Sequence, residues 1–219
     1  MKLKARYIVL SAAQLTMISV AHADCLKDSE VGLQLRNFYV DRSYDSPTVP
    51  DQKNWSQSAS LLLKSGYTDD TPLKVGIDAS IRYAVRLNND NGAPNYIMPY
   101  DSTTKKQDGT QLKLGGTLKL KVSNTELKIG ELLPKLPVVH TDESRQLPTT
   151  FLGAMLESTD IPKTRVVLGH LTKVNARDSD DYKDLSLTNG TKTASSNSFN
   201  VAGVEYKFTP KITGSYYYG

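Results

Sequence analysis

A single cysteine, Cys25, stands in the whole chain, which excludes an internal disulfide framework. Long hydrophobic runs are scarce too. After the mainly apolar stretch from Ile8 to Val20, nothing approaches the roughly 20 residues that a membrane-crossing helix needs. Net charge is small: the formal +4 includes Lys2, Lys4 and Arg6, and without these three it is +1, so a high isoelectric point is no argument for nucleic acid as a partner. The sequence holds no nucleophile elbow, zinc-ligand spacing or phosphate-cradling glycine loop. His140 and His170 with Ser144 or Asp142 lack the local signature of a hydrolase, so no enzymatic activity and no cofactor are expected. Asp178, Asp180, Asp181 and Asp184 read as a solvated acidic loop rather than a calcium site, and no metal is expected.

The N-terminus does carry a signal. Lys2, Lys4 and Arg6 precede the apolar run, and Ala21-His22-Ala23 follows it, the pattern of a secretory signal peptide over residues 1–23. Residues 24–219 are then the exported chain. Cys25 falls second after the cut, behind Asp24, whereas a lipidated cysteine is expected first.

The strongest pattern lies at 73–87. Every odd position is apolar (Leu73, Val75, Ile77, Ala79, Ile81, Tyr83, Val85, Leu87), while the even ones include Lys74, Asp78, Arg82 and Arg86. Strict alternation over that length is a β-strand with one apolar and one charged face, about 50 Å long at 3.3 Å per residue. Soluble strands are usually much shorter. The same reading places strands near 31–44, 55–66, 73–87, 111–122, 125–131, 150–158, 164–174, 198–208 and 212–219. Their connections alternate: 45–54, 88–110, 132–149 and 175–197 are long, and 67–72, 123–124, 159–163 and 209–211 are short. An up-and-down meander with that rhythm puts all long loops at one end and all tight turns at the other, as in outer-membrane barrels. The fold class expected is therefore all-β, a transmembrane antiparallel up-and-down β-barrel with nine strands present. Nine is odd, whereas bacterial single-chain barrels have even counts, so a truncated barrel is expected. The alternative is a secreted soluble β-sandwich for binding or adhesion.

Several stretches carry a resemblance to a known family. Leu33-Gln34-Leu35-Arg36-Asn37-Phe38-Tyr39, Trp55-Ser56-Gln57, Ser65-Gly66-Tyr67-Thr68 and Val75-Gly76-Ile77-Asp78-Ala79 resemble the first three strands of the OprD-type substrate-specific porins. The likeness continues through Ser123-Asn124-Thr125-Glu126-Leu127-Lys128-Ile129-Gly130-Glu131, Arg145-Gln146-Leu147-Pro148, Gly169-His170-Leu171-Thr172 and Ser215-Tyr216-Tyr217-Tyr218-Gly219, in consistent order. It implies a monomeric 18-stranded barrel of a Gram-negative outer membrane, of which this chain is the N-terminal half. It further implies a narrow basic constriction and passive uptake of small carboxylate-bearing solutes, such as amino acids or aromatic acids. The partners expected are outer-membrane lipid, small anionic or zwitterionic solutes and the barrel-assembly machinery.

If the odd face of 73–87 meets lipid, Lys74, Asp78, Arg82 and Arg86 face the lumen. By the same parity Lys113, Lys119 and Lys121 oppose Leu112, Leu114, Leu118 and Leu120, and Lys128 opposes Leu127 and Ile129. Arg36 and Arg42 share a face of the first strand, where Leu33 and Leu35 fall out of phase with Phe38 and Val40, so a bulge is expected there. Cations along an aqueous path lower the barrier for anions, and arginine suits a carboxylate. The loop 132–149 mixes Leu132, Leu133, Leu136, Val138 and Val139 with three prolines, so it must pack against something. By the resemblance it folds inward as the constriction, with Lys135, His140, Asp142 and Arg145 lining the eyelet.

Overall fold

The computed structural model describes residues 28–45, 48, 50–68, 71–89, 92–189 and 192–219. The expected signal peptide and the Asp69-Asp70 turn lie outside the described residues. Fifteen strands are described: β1 (Glu30–Arg42), β2 (Gln52–Lys64), β3 (Lys74–Arg86), β4 (Tyr100–Asp101), β5 (Lys106–Gln107), β6 (Thr110–Val122), β7 (Thr125–Leu132), β8 (Lys135–Leu136), β9 (Val139–His140), β10 (Thr150–Ser158), β11 (Thr164–Asn175), β12 (Lys183–Asn189), β13 (Lys192–Ser196), β14 (Phe199–Thr209) and β15 (Ile212–Tyr218).

Eleven of them form one antiparallel sheet, in the order β1, β2, β3, β6, β7, β10, β11. Along its first part, from Thr164 to Leu171, β11 pairs with β14, which in turn pairs with β15. Beyond that, Lys173 and Val174 pair with β12, the first strand of the β12–β13 hairpin. The nine long strands stand within a few residues of where alternation put them. A sandwich would set a second sheet about 10 Å from the first. Among the described residues the remaining sheets are only the two-residue pairs β4–β5 and β8–β9, so the soluble-sandwich alternative falls.

The two faces differ in an unusual sense. On β3, Ile77 is 61% and Ile81 48% exposed, whereas Ser80, Arg82 and Ala84 behind them are buried. Leu33, Leu35, Leu114, Leu168 and Tyr216 continue the bare apolar face across the sheet. Water would penalise so broad an apolar surface; the hydrocarbon of a bilayer would not.

The polar face is covered by the long loops. Ile97 and Met98 from the loop after β3, with Leu147 from the loop after β9, pack on Ala84 and on Phe38 and Val40. That packing corrects the expected bulge in the first strand, because the β1–β2 register runs unbroken from Glu30↔Lys64 to Arg42↔Gln52. Phe38 and Val40 belong to the covered face after all. They are apolar because loop residues lie on them. Real irregularities sit elsewhere. The β10–β11 register shifts between Leu152 and Gly153, where a Cβ on Gly153 would stand 2.1 Å from the His170 carbonyl oxygen. Gly130 has φ +126°, and a Cβ there would lie 2.3 Å from the Gly116 oxygen.

Candidate functional site: the charged face of the sheet

The positive φ of Gly130 within β7 has a chemical consequence. It lets Glu131 present its side chain to the same face as Arg82, two strands away across β6. One guanidinium nitrogen, Arg82 Nη1, lies 2.9 and 3.0 Å from the two Glu131 carboxylate oxygens, and both side chains are only 5% exposed. Ser80 Oγ donates to the same carboxylate at 2.9 Å and Tyr182 Oη at 3.3 Å. The carboxylate occupies the space above Gly115 on the intervening β6, where a Cβ would be 2.0 Å from it. Burial is affordable here because every lone pair has a donor. Burial also raises the Tyr182 phenol above its ordinary range, which keeps it a proton donor.

Lys113, the register partner of Arg82 on β6, is 1% exposed. Its ammonium donates to the carbonyls of Pro148 at 3.0 Å and Ala176 at 2.6 Å, and so ties together the loops on either side of the β10–β11 pair. Gln111 adds bonds to the Arg177 and Ser179 carbonyls at 3.0 and 3.1 Å. Arg36 on β1 donates to the carbonyls of Glu143, at 3.0 Å, and Arg145. These cations therefore act first as fasteners of loop backbone.

The segment between β7 and β10 lies across this face. Leu136 packs on Val167 of β11 and Val201 of β14, with Val138, Val139 and Met155 around them. Its charged residues are spread along it. Lys135 pairs with Glu143 at 3.3 Å, and Asp142 with Arg177. Hydrogen bonds from Ser144 and the nearby Arg177 guanidinium hold the Asp142 carboxyl below the usual carboxylate range. His140 is exposed on β9, and Arg145 donates to the Ser144 carbonyl at 3.2 Å.

At the tight-turn end, Lys119 pairs with Asp78 at 2.6 Å and donates to the Ser65 carbonyl at 2.8 Å. Lys119 and Lys121 lie 5.0 and 5.6 Å from the centre of the Tyr67 ring. Lys74 is exposed, and Lys128 pairs with Glu126 at 3.2 Å. Arg42 is exposed near the Tyr44 hydroxyl, at 3.4 Å, and Arg86 is half-buried at the loop end of β3.

Acidic residues on this face extend beyond Asp78 and Asp142. Glu131, Glu157, Arg165 and Glu205 were not anticipated, although they carry much of its charge. Arg165 bridges Glu157 at 2.7 Å and Glu205 at 3.1 Å, and Tyr217 donates to Glu205 at 2.6 Å. Parity held the signal for Arg165, which shares a face with Val167. For Glu131 parity points the wrong way, because Gly130 breaks it.

The chain matches the family described as outer membrane porin, OprD family, over residues 23–219. It is 34% identical over 212 residues to the porin-like protein GalP of Pseudomonas putida, covering 94% of this chain and 50% of that protein. Porin D of Pseudomonas aeruginosa is 30% identical, with 88% of this chain and 43% of that protein covered. Among solved structures, Acinetobacter baumannii OccAB4 superposes with a TM-score of 0.83 at 36% identity, over 90% of this chain and 52% of that one. Pseudomonas aeruginosa OpdK, solved with vanillate, gives 0.77 at 31%, over 88% and 48%. The chain thus spans about half the length of the relatives it matches, and its sheet is part of a barrel.

Proposed function

Since the chain belongs to the OprD family of outer membrane porins, we propose that it forms one half of the wall of a channel through which small carboxylate-bearing solutes diffuse passively. The observation that carries this reading is the inversion of the sheet: an apolar face left bare for lipid, and a charged face with the segment 132–149 packed along it. In this reading residues 1–23 direct export, the bare face meets outer-membrane lipid after insertion by the assembly machinery, and the complete barrel is a monomer. The segment 132–149 narrows the passage, with Lys135, His140, Asp142 and Arg145 at its edge.

The chemistry follows from how the cations are held. Arg36, Arg42, Lys74, Arg86, Lys121 and Lys128 line the route, while Arg82, Lys113 and Lys119 stand buried in its wall, already bonded to a carboxylate or a carbonyl. A carboxylate solute meets a positive field offset by fixed negative partners, so each contact is worth about 1 kcal/mol or less where solvent reaches it. Weak, repeated contacts favour passage over capture. Vanillate in OpdK is itself a carboxylate, and that neighbour supports the solute class proposed here.

The test is planar-bilayer recording on the protein that carries this chain, under a gradient of sodium benzoate. Selectivity for the carboxylate over sodium is expected, and it should fall in Arg82→Ala with Arg86→Ala. Reversal potentials that are cation-selective, or unchanged by that double substitution, would refute the reading.

A further inference from the structure

The tight-turn end of the charged face holds an arrangement that a merely wet wall does not need. Lys74 on β3 and Lys121 on β6 are register partners, directly opposite one another on the same face. Like charges so placed destabilise a ladder. Neighbouring cations have a carboxylate: Lys119 has Asp78 at 2.6 Å, and Lys64 has Glu30 at 3.6 Å. Among the described residues neither Lys74 nor Lys121 makes an ion pair: Glu126, which stands opposite Lys121 on β7, is taken up by Lys128 and the Tyr67 hydroxyl.

Both line a cleft of about 340 Å³, closed on one side by Ser65, Gly66 and Tyr67 from the turn after β2. Tyr67 is fixed there by its hydroxyl bond to Glu126, and its ring face approaches Lys119 and Lys121. Asp28 and Glu30, the latter paired with Lys64, also line the cleft. The cleft lies eight residues along β3 from Arg82, roughly 26 Å at 3.3 Å per residue, and so is separate from the Arg82–Glu131 pair.

We propose that this cleft is a binding site for a small dianionic oxyanion, a dicarboxylate or a phosphate, held between the ammonium groups of Lys74 and Lys121. A ligand with two negative oxygens can meet both lysines that line the cleft. A monoanion can satisfy only one of them and leaves the other repelled. Tyr67 limits the depth of the cleft and keeps the Lys121 ammonium turned inward by cation–π attraction. Its role as an exit station, met by a solute after the loop-side narrowing, rests on the channel reading; the binding does not.

The experiment uses the detergent-purified protein at pH 8 and constant ionic strength, with chloride, acetate, succinate or inorganic phosphate as the anion. Thermal midpoints and binding isotherms are measured for wild type, Lys74→Gln and Lys121→Gln. Succinate, phosphate or both should raise the wild-type midpoint above acetate and chloride, and the comparison of the two identifies the oxyanion. Each single variant should lose roughly threefold to fivefold in dianion affinity, the upper range for one solvent-reached ion pair. In chloride alone each variant should melt no lower than wild type, since a repulsion has been removed. Equal midpoints in all four anions, or a dianion effect that survives in both variants, would overturn the site. Bilayer conductance recorded on the same samples tells the two ideas apart: conduction without a dianion effect removes the site alone, and a dianion effect without conduction removes the channel alone.

Discussion

Glu131→Gln is the sharpest probe of how the charged face is held together. Glutamine keeps the size and shape of the side chain and removes its charge, which leaves Arg82 at 4% exposure without a counter-ion. Two charges about 4 Å apart at an effective dielectric near 20 attract by about 4 kcal/mol. Removing one member of a buried pair costs a similar ~3–5 kcal/mol, because the remaining charge keeps its desolvation penalty. The loss should appear as a lower midpoint of urea unfolding in detergent, with little change in slope. The companion variant Arg82→Met with Glu131→Leu removes both charges and should recover most of that loss. A cost below about 1 kcal/mol for Glu131→Gln, or a double variant no better than the single, would show that solvent reaches the pair and that the burial argument fails.

Three further outcomes follow from the geometry. Gly130→Ala places a Cβ against the Gly116 carbonyl at φ +126°, so it should cost about 1–3 kcal/mol and weaken the β6–β7 edge, seen as a lower thermal midpoint; an unchanged midpoint would mean the strand relaxes freely. Leu136→Ala removes the contact that seats the segment 132–149 on Val167 and Val201, a cost of about 2–3 kcal/mol, and trypsin should then cut after Lys135 or Arg145 faster than in wild type. Asp160 accepts bonds from Thr125 Oγ1 at 2.6 Å, Ser123 Oγ at 2.7 Å and the Asn124 amide at 2.9 Å, which pull its carboxyl down to about 2. With the folded value depressed, its contribution is complete above the ordinary 3.8 and is lost as pH falls through about 2, so Asp160→Ala should flatten the acid limb of the stability profile; parallel limbs would refute the clamp.

The charge pattern of β3 shows how much could be read directly. Lys74, Asp78, Arg82 and Arg86 fall on one face because strand geometry alone sends every second side chain the same way. Only one assumption was needed, that the apolar side faces lipid. The same rule misplaced Phe38 and Val40, whose apolar character answers to Ile97 and Met98 from a distant loop. It also missed Glu131, because a single glycine with positive φ shifts parity for the residue that follows it.

Local periodicity therefore determined the number of long strands, the alternation of their connections and the inverted faces, all of which depend on side-chain direction between neighbours in sequence. Tertiary structure decided which charges meet. Arg82 and Glu131 lie 49 positions apart, and Lys113 and the Ala176 carbonyl 63. Such pairs form only when sheet curvature and loop packing bring remote segments together, and nothing in the local sequence encodes that distance. The ordering of loop backbone around buried cations is the physical reason that a row of positive residues becomes a wall of compensated charge.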